Sequence, residues 1–313
     1  MTDSTAPVPS SIAGRPFVPL TGTVIEVKTE TPFLPKAAFV LISIASLVGV
    51  YFTGRMHGLE GVALVWRWLH FWGLALATGM LAWRLFYLRA AEPGLSPQRV
   101  AAHHDALLGR VRVVSRYLVP LLLLGAPVPW FVEYLTNTQS AVLTLSSLCV
   151  AAAVLFAHTG RASALAAFLV GVTGLALWGW FDSAGVASVI AVRTVHLLAF
   201  AAWLGGALFN LGAAVPAGRL HANIDAVVAG ARQLERFRWV VRVALPTVIV
   251  TGVWMALRYA GVGNSFWISG LGLLVPVKLL LIMVLVVIFI TCPLYRACSP
   301  VRGVCNVDDL GGA

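Results

Sequence analysis

The sequence predicts an all-α, polytopic membrane protein with eight transmembrane helices arranged as two tandem four-helix repeats. Hydrophobic residues make up 59% of the 313 residues and charged residues only 11%, against roughly 25% charged residues in an average soluble domain. Eight apolar runs have about the length that is needed to cross ~30 Å of hydrocarbon. In addition, six residue pairs of uncommon type match between the two halves of the chain at one offset of 126 positions.

The apolar runs fall into two sets of four, which we interpret as the two repeats, 36–160 and 161–292. A cytoplasmic N-terminal tail, 1–35, and a cytoplasmic C-terminal tail, 293–313, are expected to flank them. In chain order the predicted spans lie at about 36–53, 62–87, 113–132, 141–158, 164–181, 187–213, 239–259 and 267–291.

The offset of 126 positions relates residues that we call repeat mates. Because each repeat contains an even number of spans, both repeats cross the membrane in the same direction, and their pseudo-axis should lie along the membrane normal. Apolar matches would be common by chance in such a chain, so only the Arg, His, Gly and Pro matches are evidence for a repeat. The six pairs are Arg67 with Arg193, His70 with His196, Gly79 with Gly205, Arg112 with Arg238, Arg116 with Arg242, and Pro120 with Pro246.

The distribution of basic residues predicts the orientation in the membrane. The net charge is +10, and most Arg residues lie between the second and third spans, between the sixth and seventh spans, and after the eighth span. The positive-inside rule therefore places both termini in the cytoplasm. We interpret this charge as a signal for topology and for contact with anionic lipid, rather than for nucleic acid.

Each repeat carries a histidine within its second span. His70 and His196 are expected in the outer half of the bilayer at matching heights, where two imidazoles can face each other across the repeat interface. Imidazole binds copper and also serves as an axial ligand of haem iron. Arg67 and Arg193, one turn away on the same helix face, would then pair with a haem propionate or an anionic substrate. In the alternative interpretation, each His bonds a neighbouring carbonyl and each Arg extends toward the surface.

Three further residues are candidates for binding. Met56 and His57, in the short outer loop between the first two spans, offer a thioether and an imidazole, both of which bind Cu(I); the alternative is a solvated loop histidine. Lys278 is expected near the middle of the membrane, where a lysine needs a counter-charge, carbonyl groups or an anionic ligand.

The segment His196-Leu197-Leu198-Ala199, followed by Trp203-Leu204-Gly205-Gly206, resembles the opening helix of the copper resistance protein D (CopD) family. Downstream, Arg236-Phe237, Thr251-Gly252 and Lys278 fit the same resemblance, which covers about 187–292. The resemblance implies copper uptake or tolerance at the bacterial inner membrane, often beside a periplasmic copper-binding partner. The chain has only five Met residues, fewer than a dedicated copper carrier would be expected to have.

These observations lead to one principal functional hypothesis and two alternatives. The first is an inner-membrane copper-transport or copper-tolerance protein with a paired-histidine site. The second is a cytochrome b-like electron-transfer subunit that binds haem b through the same histidines, and the third is a membrane anchor of a larger complex. No phosphate-binding loop, dinucleotide fingerprint or Ser-His-Asp pattern favours an enzyme.

Overall fold

The part of the chain that the structure describes is made of helices joined by short connections. A computed structural model describes residues 33–183, 185–220, 223–258, 267 and 270–291, and no strand occurs among them. The predicted N-terminal tail, apart from its last residues, and the whole predicted C-terminal tail lie outside these residues. The all-α class is confirmed for the described part of the chain.

Long helices follow the predicted spans in order, with one helix overlapping each span. A π turn, Trp83–Tyr87, continues the second helix, and a second π turn, Asn210–Ala214, leads from the sixth helix into the short helix Val215–Leu220. The long helices are α1 (Phe33–Met56), α2 (Val62–Ala82), α3 (Pro97–Gly125), α4 (Asn137–Phe156), α5 (Arg161–Phe181), α6 (Ala187–Phe209), α7 (Ile224–Leu257) and α8 (Leu274–Thr291).

Seven stretches of the described chain are long and apolar enough to cross a membrane. Together they contain every long helix except α2. Helix α2 is the long helix that carries both Arg67 and His70. A multi-pass helical membrane protein is therefore confirmed, while the eighth span stays a prediction.

Helix α2 lies in the interior of the bundle. It packs against α1, α3, α5 and α6, and nearly all of its residues from Phe71 to Leu81 are buried. Its contact with α6 is so close that a Cβ atom on Gly79 would overlap the Ala201 carbonyl oxygen, and one on Gly205 would overlap Gly79. Small residues permit such an approach between membrane helices. Because protein surrounds α2, its polar side chains are shielded from lipid.

The structure differs from the sequence prediction in the arginine-rich segments before the third and seventh spans. These segments were expected to be loops, but α3 begins at Pro97 and α7 begins at Ile224, well before the apolar runs. The physical reason is that apolar residues recur at helical spacing, as Val100, Leu107 and Val111 do on the buried face of α3. The first residues of α3 and α7 therefore form one end of the bundle, which we call the arginine-rich end.

Ion pairs connect the helices at the arginine-rich end. Glu92, between α2 and α3, pairs with Arg236 of α7, and Arg99 of α3 pairs with Asp225 of α7 at 3.2 Å. The opposite end, where Asp182 follows α5, is called the carboxylate end. Met56 and His57 lie there too, because α1 ends at Met56.

Candidate functional site

Both arginines that were predicted to face an anion bind a single carboxylate of the protein. Arg67 Nη2 donates to Asp182 Oδ2 at 2.6 Å, and Arg193 Nη2 donates to the same oxygen at 2.7 Å. Arg193 Nη1 also donates to the main-chain oxygen of Asp182 at 3.2 Å. The Tyr134 hydroxyl donates to Asp182 Oδ1. Asp182 therefore supplies the anion that was expected to come from a haem propionate or a substrate.

This carboxylate cluster, Arg67, Tyr134, Asp182 and Arg193, is almost fully enclosed. The side chains of Arg67 and Asp182 are 1% and 0% exposed. Burial by itself raises the pKa of Asp182, but the charges of Arg193 and Arg67 outweigh it and hold the pKa below its usual value of 3.8. Burial and the charge of Asp182 raise the pKa of the Tyr134 hydroxyl, so it keeps its proton and acts as a donor.

Met56 and His57 lie beside the carboxylate cluster at the surface. Met56 is 40% exposed, and the His57 ring centroid is 4.5 Å from that of Tyr134. Partial burial lowers the pKa of His57; Asp182 opposes this effect, while Arg67 and Arg193 add to it. His57 therefore presents a neutral imidazole near pH 7, the form that binds metal ions.

His70 is 1% exposed, and both of its ring nitrogens are hydrogen-bonded. Nδ1 lies 2.8 Å from the Gly125 carbonyl oxygen at the end of α3; since a carbonyl only accepts, Nδ1 carries the proton. Nε2 accepts a hydrogen bond from Trp178 Nε1 of α5 at 2.7 Å. The indole thus occupies the lone pair that a metal ion would need.

His196 has the same protonated nitrogen as His70 but different surroundings. Its Nδ1 lies 2.8 Å from Thr251 Oγ1 in α7. The Thr251 hydroxyl donates its one hydrogen to the Thr247 carbonyl oxygen, so Oγ1 accepts from His196 Nδ1. The lone pair of His196 is therefore on Nε2. Metal-binding histidines commonly donate their other ring N–H to a protein oxygen in this way.

His196 lines a cavity of about 120 Å³ in the bundle interior, which we call the His196 cavity. Arg193 of α6, Met255 of α7 and Lys278 of α8 line it as well. The Lys278 Nζ is directed toward α1, since a Cβ atom on Gly49 would lie 2.8 Å from it. The remaining wall is largely apolar and aromatic, and includes Ile42, Phe71, Trp72, Phe200, Trp203 and Ile282.

The structure brings some of the predicted site residues together and separates others. Arg193, His196 and Lys278 line one cavity, whereas His70 is enclosed by its own partners and does not line that cavity. In the described part of the chain, no three His, Cys, Asp or Glu side chains lie close enough together to hold a metal ion. The ligand roles of Met56, His57, His70 and His196 stay predictions.

Sequence reasoning missed three residues of this region. Neither Asp182 nor Trp178 was predicted as a site residue. Met255 was missed although the sequence contained a signal for it, because it follows Thr251 by four residues and therefore lies on the same face of α7. Chain spacing gave no signal for the contact of the indole with His70, 108 positions away, or for that of the carboxylate with Arg67, 115 positions away.

One comparison with known proteins gives a family match for part of the chain. Residues 231–302 match the family model described as copper resistance protein D. The matched residues include Thr251, Met255 and Lys278 but not His196. The predicted resemblance to this family is confirmed over 231–302, a segment that begins later than the expected 187–292. Neither the curated proteins nor the solved structures give a match.

Proposed function

We propose that this membrane protein of the copper resistance protein D family handles copper within the bilayer and holds the ion in the His196 cavity during transfer. The observation that carries this function is that the family-matched segment supplies two walls of the cavity. Val248 and Met255 of α7 and Lys278 and Ile282 of α8 are the matched residues that line it. Copper is the cargo in this proposal, not a resident cofactor.

The donor atoms around the cavity suit Cu(I). His196, whose lone pair is on Nε2, and Met255, which carries a thioether, both line it. Soft thioether ligands select Cu(I), and imidazole also binds copper. A volume of about 120 Å³ has room for an ion and a few waters, each of which takes up ~30 Å³ in the liquid.

Lys278 weakens copper binding in this proposal. Arg193 also borders the cavity, and its charge is only partly balanced, because it shares the one carboxylate of Asp182 with Arg67. Lys278 forms no ion pair with any described residue, so its ammonium repels a copper ion at His196. A site that passes its ion onward must bind weakly enough to release it. Lys278→Leu, which removes the charge without adding a donor atom, should therefore tighten copper binding.

Met56 and His57 are proposed to receive copper at the carboxylate end. Both are exposed there, and Arg193 belongs to the adjacent carboxylate cluster as well as to the cavity wall. The positive-inside rule favours the arginine-rich end, and with it both termini, in the cytoplasm of a bacterial inner membrane. The carboxylate end would then face a periplasmic copper-binding partner.

We also propose that α2 is the eighth span and that the two halves are tandem repeats. Repeat mates contact each other where α2 crosses α6: Gly79 lies against Gly205, and Trp83 stacks on Phe209 at 4.7 Å between ring centroids. Contact between a residue and its own equivalent is what a two-fold interface produces. The packing of α2 against α1, α3, α5 and α6 explains how a helix that carries Arg67 and His70 is tolerated in the membrane.

Hydrogen bonds give independent support to the repeats. The His70 partner, Gly125, and the His196 partner, Thr251, are themselves repeat mates. The two histidines therefore contact equivalent positions at the end of α3 and in α7. A shared centre between them is not part of this proposal, because His70 would have to lose its bond to Trp178.

The geometry gives no support to haem b. The His196 cavity, at about 120 Å³, is smaller than the ~300–1,000 Å³ of pockets for drug-sized ligands. The two arginines that were expected to face propionates bind Asp182 instead. A role as the membrane anchor of a larger complex stays a prediction, since the N-terminal tail on which it depends is not described.

Cu(I) titration of purified variants tests the proposed function. In detergent micelles, with a colorimetric Cu(I) chelator as competitor, His196→Gln and Met255→Leu should each lower copper affinity by about tenfold or more, the equivalent of ~1.4 kcal/mol. His104→Gln and Met283→Leu are matched controls outside the cavity and should bind as the wild type does. Wild-type affinity in both cavity variants, with unchanged thermal unfolding, would overturn the proposal.

A further inference from the structure

A second cavity lies at the arginine-rich end, apart from the His196 cavity. It has a volume of about 420 Å³ and lies between the π turn that ends α2 and the first residue of α5. Arg89 and Arg161 border it together with Leu85, Phe86 and Leu88. We call it the Arg89 cavity.

The Arg89 cavity has positive charge without a carboxylate to balance it. Arg89 and Arg161 are exposed, and neither makes an ion pair within the described ranges. Glu92, the acid nearest to Arg89 in the chain, is held by Arg236. The cavity therefore favours an anionic ligand.

A third arginine adds to this charge and shapes the cavity. Arg84 donates to the main-chain oxygens of Gly160 and His158 at 2.7 and 3.5 Å. These bonds hold the α4–α5 connection against the end of α2, and so keep Arg161 beside the π turn. Because both partners are neutral carbonyls, the charge of Arg84 also lacks an acidic partner here.

An apolar surface leads away from the cavity along α5. Phe86, which is 53% exposed, borders the cavity, and its ring packs edge-on against Phe168 at 5.5 Å. Leu165 and Leu169 are 44% and 53% exposed. They lie one and two helical turns beyond Arg161 on the same face of α5. A charged cavity thus continues into an apolar strip on a membrane-spanning helix.

We propose that the Arg89 cavity binds an anionic phospholipid of the surrounding bilayer, with the phosphate between Arg89 and Arg161 and an acyl chain along Phe86, Leu165 and Leu169. Guanidinium groups bind phosphate through paired hydrogen bonds. Basic pockets at the ends of membrane helices are suited to lipid headgroups. The apolar strip favours a lipid over a soluble phosphate compound, because only a lipid has an acyl chain that can pack against the strip. This inference does not depend on copper.

Lipid retention measured by native mass spectrometry tests the proposal. The full chain, purified in detergent, is mixed with phosphatidylglycerol or with phosphatidylcholine. The wild type should retain phosphatidylglycerol in preference, and Arg89→Gln and Arg161→Gln should each reduce retention about fivefold, since one arginine near a headgroup contributes ~1 kcal/mol. Arg112→Gln, which removes an exposed arginine of α3 outside the cavity, should retain lipid as the wild type does.

The possible outcomes separate this site from general surface charge. Equal loss in Arg112→Gln would overturn the proposal, as would wild-type retention in the Arg89→Gln/Arg161→Gln double variant. Displacement of the lipid by millimolar inorganic phosphate, with no preference for acyl chains, would identify a soluble anion site and would also overturn it. Unchanged thermal unfolding of the single variants establishes that the fold is intact.

Discussion

The surroundings of His70 and His196 show how one structural position can be used in two ways. Both residues are in the second long helix of their half, both carry the proton on Nδ1, and both donate it to the equivalent position, Gly125 or Thr251. In the first half the Nε2 lone pair accepts a hydrogen bond from Trp178. In the second half the histidine borders a cavity. The type of residue is conserved between the halves, whereas access to its lone pair is not.

Two neighbouring positions account for this difference. The repeat mate of Trp178 is Phe52, which has no N–H to donate. The repeat mate of Lys278 is Ala152, so the first half has no ammonium group at the corresponding position. The comparison shows that His70 is enclosed by packed side chains, whereas His196 has open space beside it.

Removing the carboxylate that both halves share should have the largest effect. Asp182→Asn leaves Arg67 buried without its counter-charge, and breaking a buried ion pair costs about 3–5 kcal/mol. The midpoint temperature of thermal unfolding in detergent should fall steeply for this variant. Glu60→Gln, which breaks an exposed ion pair with Arg55, is the control and should behave as the wild type does. Equal stability of the two variants would mean that the carboxylate cluster does not hold the halves together.

Truncating each histidine to alanine should affect the two regions differently. His70→Ala leaves a void and removes the partners of the Gly125 carbonyl and the Trp178 N–H, with an expected loss of about 2–4 kcal/mol. His196→Ala opens space into an existing cavity and should cost less stability while losing copper. Unfolding and copper titration of both variants test the comparison. A larger loss of stability in His196→Ala than in His70→Ala would contradict our assignment of His70 to the packed core and of His196 to the copper site.

Removing the indole N–H tests whether Trp178 occupies the His70 lone pair. Trp178→Phe deletes this hydrogen bond and leaves a small void at a fully buried position, so it should destabilise the protein by about 2 kcal/mol, of which the bond accounts for ~1 kcal/mol. Trp180→Phe, two residues along α5 at a position 56% exposed, is a matched control that should be close to neutral. Chemical modification of His70 should increase only in Trp178→Phe; modification at the wild-type rate would argue against the capping role.

The smallest expected effect is a dependence of stability on acid pH. The folded-state pKa of Asp182 lies below its usual value of 3.8. The contribution of this carboxylate to the stability of the fold is therefore complete above pH 3.8 and is lost as the pH falls toward the folded-state pKa. Between about pH 5 and pH 3, unfolding curves of the wild type should shift more than those of Asp182→Asn. Parallel shifts would assign the acid sensitivity to other groups.

The sequence predicted the class and family but not the contacts that separate the two histidines. Hydropathy and the spacing of Arg and His were sufficient to predict helical spans and to select Arg193, His196 and Lys278, which line one cavity. Asp182 and Trp178 escaped prediction because their roles depend on contacts between distant helices. A lone aspartate after a span also looks like an ordinary loop acid. The beginnings of α3 and α7 were missed because hydropathy registers the membrane part of a helix and not its polar extension.

X-ray absorption at the copper edge of the Cu(I)-loaded, purified protein tests the central claim most directly. We expect one imidazole nitrogen and one thioether sulfur around copper, with the sulfur lost in Met255→Leu and kept in Met283→Leu. Two imidazole nitrogens without sulfur would instead point to a centre shared by His70 and His196. That result would contradict the assignment of copper to the second half alone.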